Sequence, residues 1–265
     1  MGRFAGKICV VTGAARGIGL AIAERLHVEG GRVIISDKDQ AAGREAVDRL
    51  GCRFIALDVA NERDWEALAS AVPAADVVVN NAGVTGFEEG TGAPHDPEHT
   101  SLEDWRAVHR VNLDGTFLGC RYALGAFRQN GTDPVAGAIV NVSSRSGMVG
   151  IPAASAYASS KAAIRNHTKS VALYAAQQGW RVRCNSVHPG AIMTPMWETM
   201  LGEGPDRPER EAAMVADTPL KRFGTPEEVA AIVATLASDD AGYMTGSEVT
   251  VDGGLLAGSA ASPGE

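Results

Sequence analysis

Apolar positions along the chain fall into two alternating patterns. Short runs dense in Val, Ile and other apolar residues occupy 7–12 (KICVVT), 32–37 (RVIISD), 53–57, 76–80, 138–143, 182–187 and 248–251. Between them, longer stretches repeat apolar residues every three or four positions, at 18–30, 40–50, 62–71, 102–128, 156–178 and 226–237. The first pattern predicts strands buried on both faces, the second amphipathic helices. Their alternation, with right-handed crossovers, predicts an α/β Rossmann-type three-layer sandwich: a doubly wound parallel sheet of about seven strands with helices on both faces. No repeat or linker divides the chain, so residues 1–265 read as a single domain. Residues 86–100 (GFEEGTGAPHDPEHT) read as a long solvated loop carrying His95 and His99, and the small polar tail 258–265 as mobile at its end.

Composition narrows the function. With 45% hydrophobic residues the chain can bury a large core, and a net charge of −8 disfavours nucleic acid or an anionic membrane as partner. The opening MGRFAGKICVVTG holds no secretory leader, and no window is long enough to span a bilayer. Gly6 stands where a myristoylation signal needs Ser or Thr. Cys9, Cys52, Cys120 and Cys184 lack metal-type spacing and read as reduced packing residues of a cytoplasmic protein, with no metal site.

Thr12-Gly13-Ala14-Ala15-Arg16-Gly17-Ile18-Gly19 follows a strand and opens a helix. Glycine there permits a sharp turn and close approach of backbone amides to a pyrophosphate, and the helix N-terminus adds free N–H groups and a positive dipole end. The spacing is G-x-x-x-G-x-G rather than the more general G-x-G-x-x-G. Asp37 ends the second strand, where a carboxylate accepts from ribose hydroxyls and repels a 2′-phosphate, which selects NAD over NADP. Arg16 and Lys38 are cations that pull the other way. Asn80-Asn81-Ala82-Gly83 closes another apolar strand, leaving room for a flat ligand.

Tyr157 and Lys161 are four positions apart on one helical face. A phenol ordinarily keeps its proton to about pH 10; a neighbouring ammonium stabilises the phenolate and makes Tyr157 a general acid or base near neutrality. Ser143 and Ser144 end a buried strand, where a hydroxyl can stand beside the tyrosine. Asn112 lies in an otherwise apolar helical stretch and needs a buried partner, a kink or an ordered water.

Together these residues resemble the short-chain dehydrogenase/reductase family, over nearly the whole chain. The resemblance rests on Gly13, Gly17 and Gly19; Asp58-Val59; Asn80-Asn81-Ala82-Gly83; Asn112; Ser144; Tyr157 and Lys161; Pro189-Gly190 with Thr194; and Val251-Asp252-Gly253-Gly254. It implies Tyr157 as acid/base, Lys161 as the group that lowers its pKa and binds the nicotinamide ribose, and Ser144 as the hydrogen-bonding partner of the substrate oxygen. Asn112 would hold a water that links Lys161 to solvent. Arg16, Ile18, Asp58, Val59, Asn81, Ala82, Gly83, Pro189, Gly190, Ile192 and Thr194 would line the cofactor. A homotetramer is implied as well. The sequence departs from the family in a short segment between residues 53 and 80 and in the long 86–100 loop.

Met193, Met196, Trp197, Met200, Leu201 and Met214 follow Pro189 and predict an apolar lid around 191–222, with Met148 and Ile151 adding to the wall. That surface suits a small-molecule substrate, an apolar cyclic or steroid-like secondary alcohol. His188 reads as structural. A 3-oxoacyl-thioester reductase would prefer NADP, against Asp37; a glucose-type sugar dehydrogenase would want a polar pocket. An NAD-sensing regulator would usually have lost Tyr157 or Lys161.

Overall fold

The computed structural model describes residues 2–88 and 94–258; residues 89–93 of the long loop and 259–265 of the polar tail lie outside the described residues. Seven strands form one sheet: β1 (Ile8–Thr12), β2 (Arg32–Asp37), β3 (Arg53–Ala56), β4 (Val77–Asn80), β5 (Ala136–Val142), β6 (Arg181–Pro189) and β7 (Glu248–Val251). All pairs are parallel, in the order β3-β2-β1-β4-β5-β6-β7. The expected α/β doubly wound architecture is therefore present. Val10 and Val11 explain the strand pattern: adjacent side chains on β1 enter separate cores on the two sheet faces, and both are fully buried.

On one face pack α1 (Gly17–Val28), α2 (Gln40–Leu50) and, late in the chain, α9 (Pro226–Ala237), with Ile22, Leu26, Val229 and Val233 in the core. The other face carries α3 (Glu62–Ala71), α4 (Leu102–His109), α5 (Gly115–Gln129) and α6 (Ser155–Gln177), with Trp65, Phe127 and Val171 inside. The short helices α7 (Pro195–Leu201) and α8 (Arg207–Met214) lie in the segment expected to form a lid. Connections run away from each other on either side of β1 and β4. The carboxyl ends of those strands open a crevice at the switch point, where open α/β sheets take their ligands.

The stretch 102–128, expected as one helix, is interrupted by a π-helical turn at Arg110–Asp114. The cause is Asn112, which is fully buried. Its amide cannot bond to its own helix and reaches out to Val84 and Ser160, and a widened turn gives it that reach. Among the described residues, no helix is long and apolar enough to cross a membrane.

Candidate active site

The glycine loop turns between β1 and α1. Gly13 and Gly17 adopt positive φ of 61° and 56°, a region costly for residues with a side chain. A Cβ on Gly19 would stand 2.2 Å from the Gly13 carbonyl oxygen and 2.4 Å from Asn81 Nδ2, so only glycine fits. Asn81 locks the loop: its Nδ2 donates to the carbonyls of Thr12 (3.0 Å) and Gly13 (2.9 Å). Thr12 Oγ1 in turn accepts from the amides of Asn81 and Ala82. Thr12 stands at the strand end ahead of the glycines, yet its role as a lock was legible only once β4 lay beside β1. The first turn of α1 has no side-chain cap and no acidic residue, so its amides stay available to an anion.

Asp37 ends β2 beside this loop. Its carboxylate accepts from the Ala15 amide at 3.2 Å and the Asp39 amide at 3.0 Å. Arg16, weighed above as a cation for a 2′-phosphate, is instead ion-paired with Asp39, which caps α2. The uncapped helix end, the positive-φ glycines and the Asp37 carboxylate fit a dinucleotide.

Asn112 and Lys161 meet at Gly83: a Cβ there would lie 3.1 Å from Asn112 Oδ1 and from Lys161 Nζ. Asn112 Oδ1 accepts from the Val84 amide (2.8 Å), while Nδ2 donates to the Val84 carbonyl and Ser160 Oγ, each at 2.9 Å. Lys161 is 4% exposed and donates to the Val142 carbonyl at 3.1 Å. That is the one hydrogen bond of Nζ among the described residues, so the ammonium has donors to spare. Burial pushes its pKa down to about 8. Nζ lies 5.7 Å from the centre of the Tyr157 ring.

Tyr157 departs from the expected direction. Burial raises its pKa, the Ser144 hydroxyl beside it pulls the other way, and the Glu88 carboxylate adds to the rise. The helical spacing places Lys161 near the ring, but desolvation is the largest effect on the phenol, and the opposing pulls come from Ser144 and Arg145. Ser144 is buried at the end of β5, and its Oγ accepts from the Ser146 amide at 3.1 Å. His188 is fully buried and bonds to the Ser144 carbonyl and to Ser186 Oγ, the structural place expected of it.

The outer cofactor positions are mixed. Thr194 comes close to the glycine loop, 3.6 Å from where a Gly17 Cβ would stand. Pro189 ends β6, and the Gly190 amide donates to the Val251 carbonyl at 2.9 Å. Ile192 is buried and bridges to Gly224. Val59 is buried against Gly115, and Asp58 is exposed, its carboxylate accepting from the Ala60 amide. In the segment expected to form a lid, Met196 (40% exposed) and Met200 (47%) face solvent, Trp197 packs edge-on against Phe223, and Leu201 turns inward. Met148, Ile151 and Met193 are half-buried.

Two residues were missed. His95, expected on a solvated loop, is buried, its ring tilted against Phe87 with centroids 4.1 Å apart. Its carbonyl accepts from the amide (3.0 Å) and hydroxyl (3.1 Å) of Ser155, at the start of α6. The N-cap residue Ala154 makes no side-chain cap bond there, so the loop supplies the acceptor. Only a serine shortly before Tyr157 hinted at this in the sequence. The loop is thereby held to α6 on both sides of Tyr157, through Ser155 and, by way of Val84 and Asn112, through Ser160.

A glycine loop on an open helix end, with a buried lysine, a tyrosine and a serine across the crevice, defines a nicotinamide-dependent oxidoreductase site. A family model described as enoyl-(acyl carrier protein) reductase matches residues 13–256. The chain belongs to the short-chain dehydrogenase/reductase family. It is 36% identical to an NADP-dependent (R)-specific alcohol dehydrogenase of Lentilactobacillus kefiri, over 96% of this chain and 98% of that one. Cyclopentanol dehydrogenase of Comamonas testosteroni is 38% identical, over 97% of this chain and all of the relative. L-fucose dehydrogenase of Oryctolagus cuniculus is 40% identical, over 97% of this chain and 87% of the relative.

Proposed function

We propose that this protein interconverts an apolar cyclic or steroid-like secondary alcohol and its ketone, with NAD(H) as the hydride partner. The observation that carries the reading is the convergence of Tyr157, Ser144, Lys161 and Asn112 at the mouth of the glycine-loop crevice. A bound nicotinamide supplies the carbon that takes or gives the hydride. In the oxidative direction the alcohol proton passes to Tyr157 Oη as the C–H hydride leaves; in reduction the phenol returns that proton to the ketone oxygen. Ser144 Oγ donates to the same substrate oxygen and fixes its position. Lys161 uses its spare donors on the nicotinamide ribose and, charged, favours the phenolate. Asn112 anchors the loop after β4 against α6, which holds Lys161 in place.

The preference for NAD rests on Asp37, since a 2′-phosphate beside that carboxylate is repelled while Arg16 is already paired. The likeness to an NADP-dependent relative favours the other cofactor, and the fucose relative favours a polyol. Rates with NAD⁺ and NADP⁺ across cyclopentanol, larger cyclic alcohols, a hydroxysteroid and L-fucose separate these readings. Activity confined to NADP⁺ sinks the Asp37 argument, and activity confined to the sugar sinks the apolar lid. Asp37→Ala is expected to narrow the NAD⁺/NADP⁺ ratio of kcat/KM about tenfold or more, equivalent to about 1.4 kcal/mol. Exposed Phe117 on α5 with Leu173 and Tyr174 on α6 supports the tetramer implied by the family, which sedimentation would test.

A further inference from the structure

A second cavity, of about 650 Å³, opens at the opposite end of the sheet, along the amino-terminal rim of β1, β2 and β3. Ile8, Ile34 and Val72 contribute apolar walls on one sheet face; Arg32, Arg53 and His27 also line it, and no Asp or Glu does. This contrasts with a chain whose net charge is −8. Nearby arginines are neutralised, Arg25 by Glu29 and Arg49 by Glu24. Arg32 and Arg53 have no carboxylate partner among the described residues. Arg53 Nη1 donates to the Ala71 carbonyl at 3.2 Å and Arg32 Nη2 to the Gly6 carbonyl at 3.5 Å, which leaves most of each guanidinium fork free. An apolar trough with two free forks and an imidazole at its edge complements a ligand with a greasy body and an anionic head.

We propose that this groove binds a single-chain aliphatic carboxylate, its head on Arg32 and Arg53 and its tail along Ile8, Ile34 and Val72. The site is remote from Tyr157, which faces the carboxyl ends of the strands. Cys52 lines the same groove and is half-buried, whereas Cys9, Cys120 and Cys184 are buried, so Cys52 reports occupancy. Burial raises the Cys52 thiol pKa, and mildly alkaline conditions bring its alkylation into range.

The experiment measures alkylation of Cys52 by N-ethylmaleimide in the full chain, located by peptide mass. Dodecanoate below its micellar concentration is expected to slow the reaction about tenfold once it exceeds its dissociation constant about tenfold. Arg32→Gln with Arg53→Gln is expected to abolish that protection while dehydrogenase rates stay unchanged. Arg53→Gln alone carries the test if the double variant unfolds, and is then expected to weaken protection several-fold. Absence of protection overturns the proposal. So does equal protection by dodecan-1-ol, which lacks the anion, or by acetate, which lacks the tail. Protection that grows with protein concentration alone assigns the face to a second copy, and overturns it too.

Discussion

Tyr157 in the free protein is a phenol whose proton is held more firmly than usual, and Lys161 an ammonium held less firmly than usual. Both shifts come from burial, and both work against the charged pair that chemistry at the phenol requires. Tyr157→Phe is expected to lower kcat by about 10²–10⁴-fold while leaving cofactor affinity within a few-fold, checked by steady-state rates and fluorescence titration. Lys161 also makes a stability prediction. Its pKa falls from 10.5 to about 8 on folding, so between those values the unfolded chain holds more protons and stability rises with pH. Below pH 8 the full cost of burying the charge is present; above 10.5 it is gone. Wild type should therefore gain on Lys161→Met across that window by about 3 kcal/mol, read from denaturant midpoints at the two ends. Spacing placed these two side chains on one helical face, but the sign of the Tyr157 shift depends on how much water the crevice excludes. A linear pattern does not carry that information.

At the level of elements, the strands and most helices were legible because the central strands are apolar on both faces and the helices carry an apolar face. The glycine loop was legible because its flanking strand and helix give it meaning. Contacts between distant loops were hidden. The His95 carbonyl serves Ser155, a residue far along the chain, and nothing in the polar sequence of 86–100 announces it. The clasp predicts a positioning effect. Ser155→Ala removes one of two bonds to that carbonyl and should lower kcat about three- to tenfold with KM for cofactor unchanged, a loss of about 1 kcal/mol. Ser155→Thr, which keeps the hydroxyl, should restore the rate. A fall in thermal stability with kcat intact would instead make Ser155 a purely structural cap.

Across the whole molecule, the strand order β3-β2-β1-β4-β5-β6-β7 places the crevice where the chain changes direction. Residues from β1, β2, β4, β5 and α6 converge there, so a dinucleotide ties together segments far apart in sequence. NAD⁺ at about 100 times its dissociation constant should add about 2.7 kcal/mol and raise Tm by about 5–10 °C, with NADP⁺ at equal concentration giving less. Scanning calorimetry with each nucleotide reads this directly. The π turn at Arg110–Asp114 bears on the same assembly. Each residue of a helix advances the next by about 100°. Upstream, α4 aims its buried Val108 one way; downstream, α5 aims Gly119 and Cys120 at the sheet, where a Cβ on Gly119 would strike Asn80. Deleting one residue from the turn would spin α5 by that angle, carrying small residues off β4 and driving larger ones into it. The bulge is thus a phase shifter that lets one rod present two differently aimed faces.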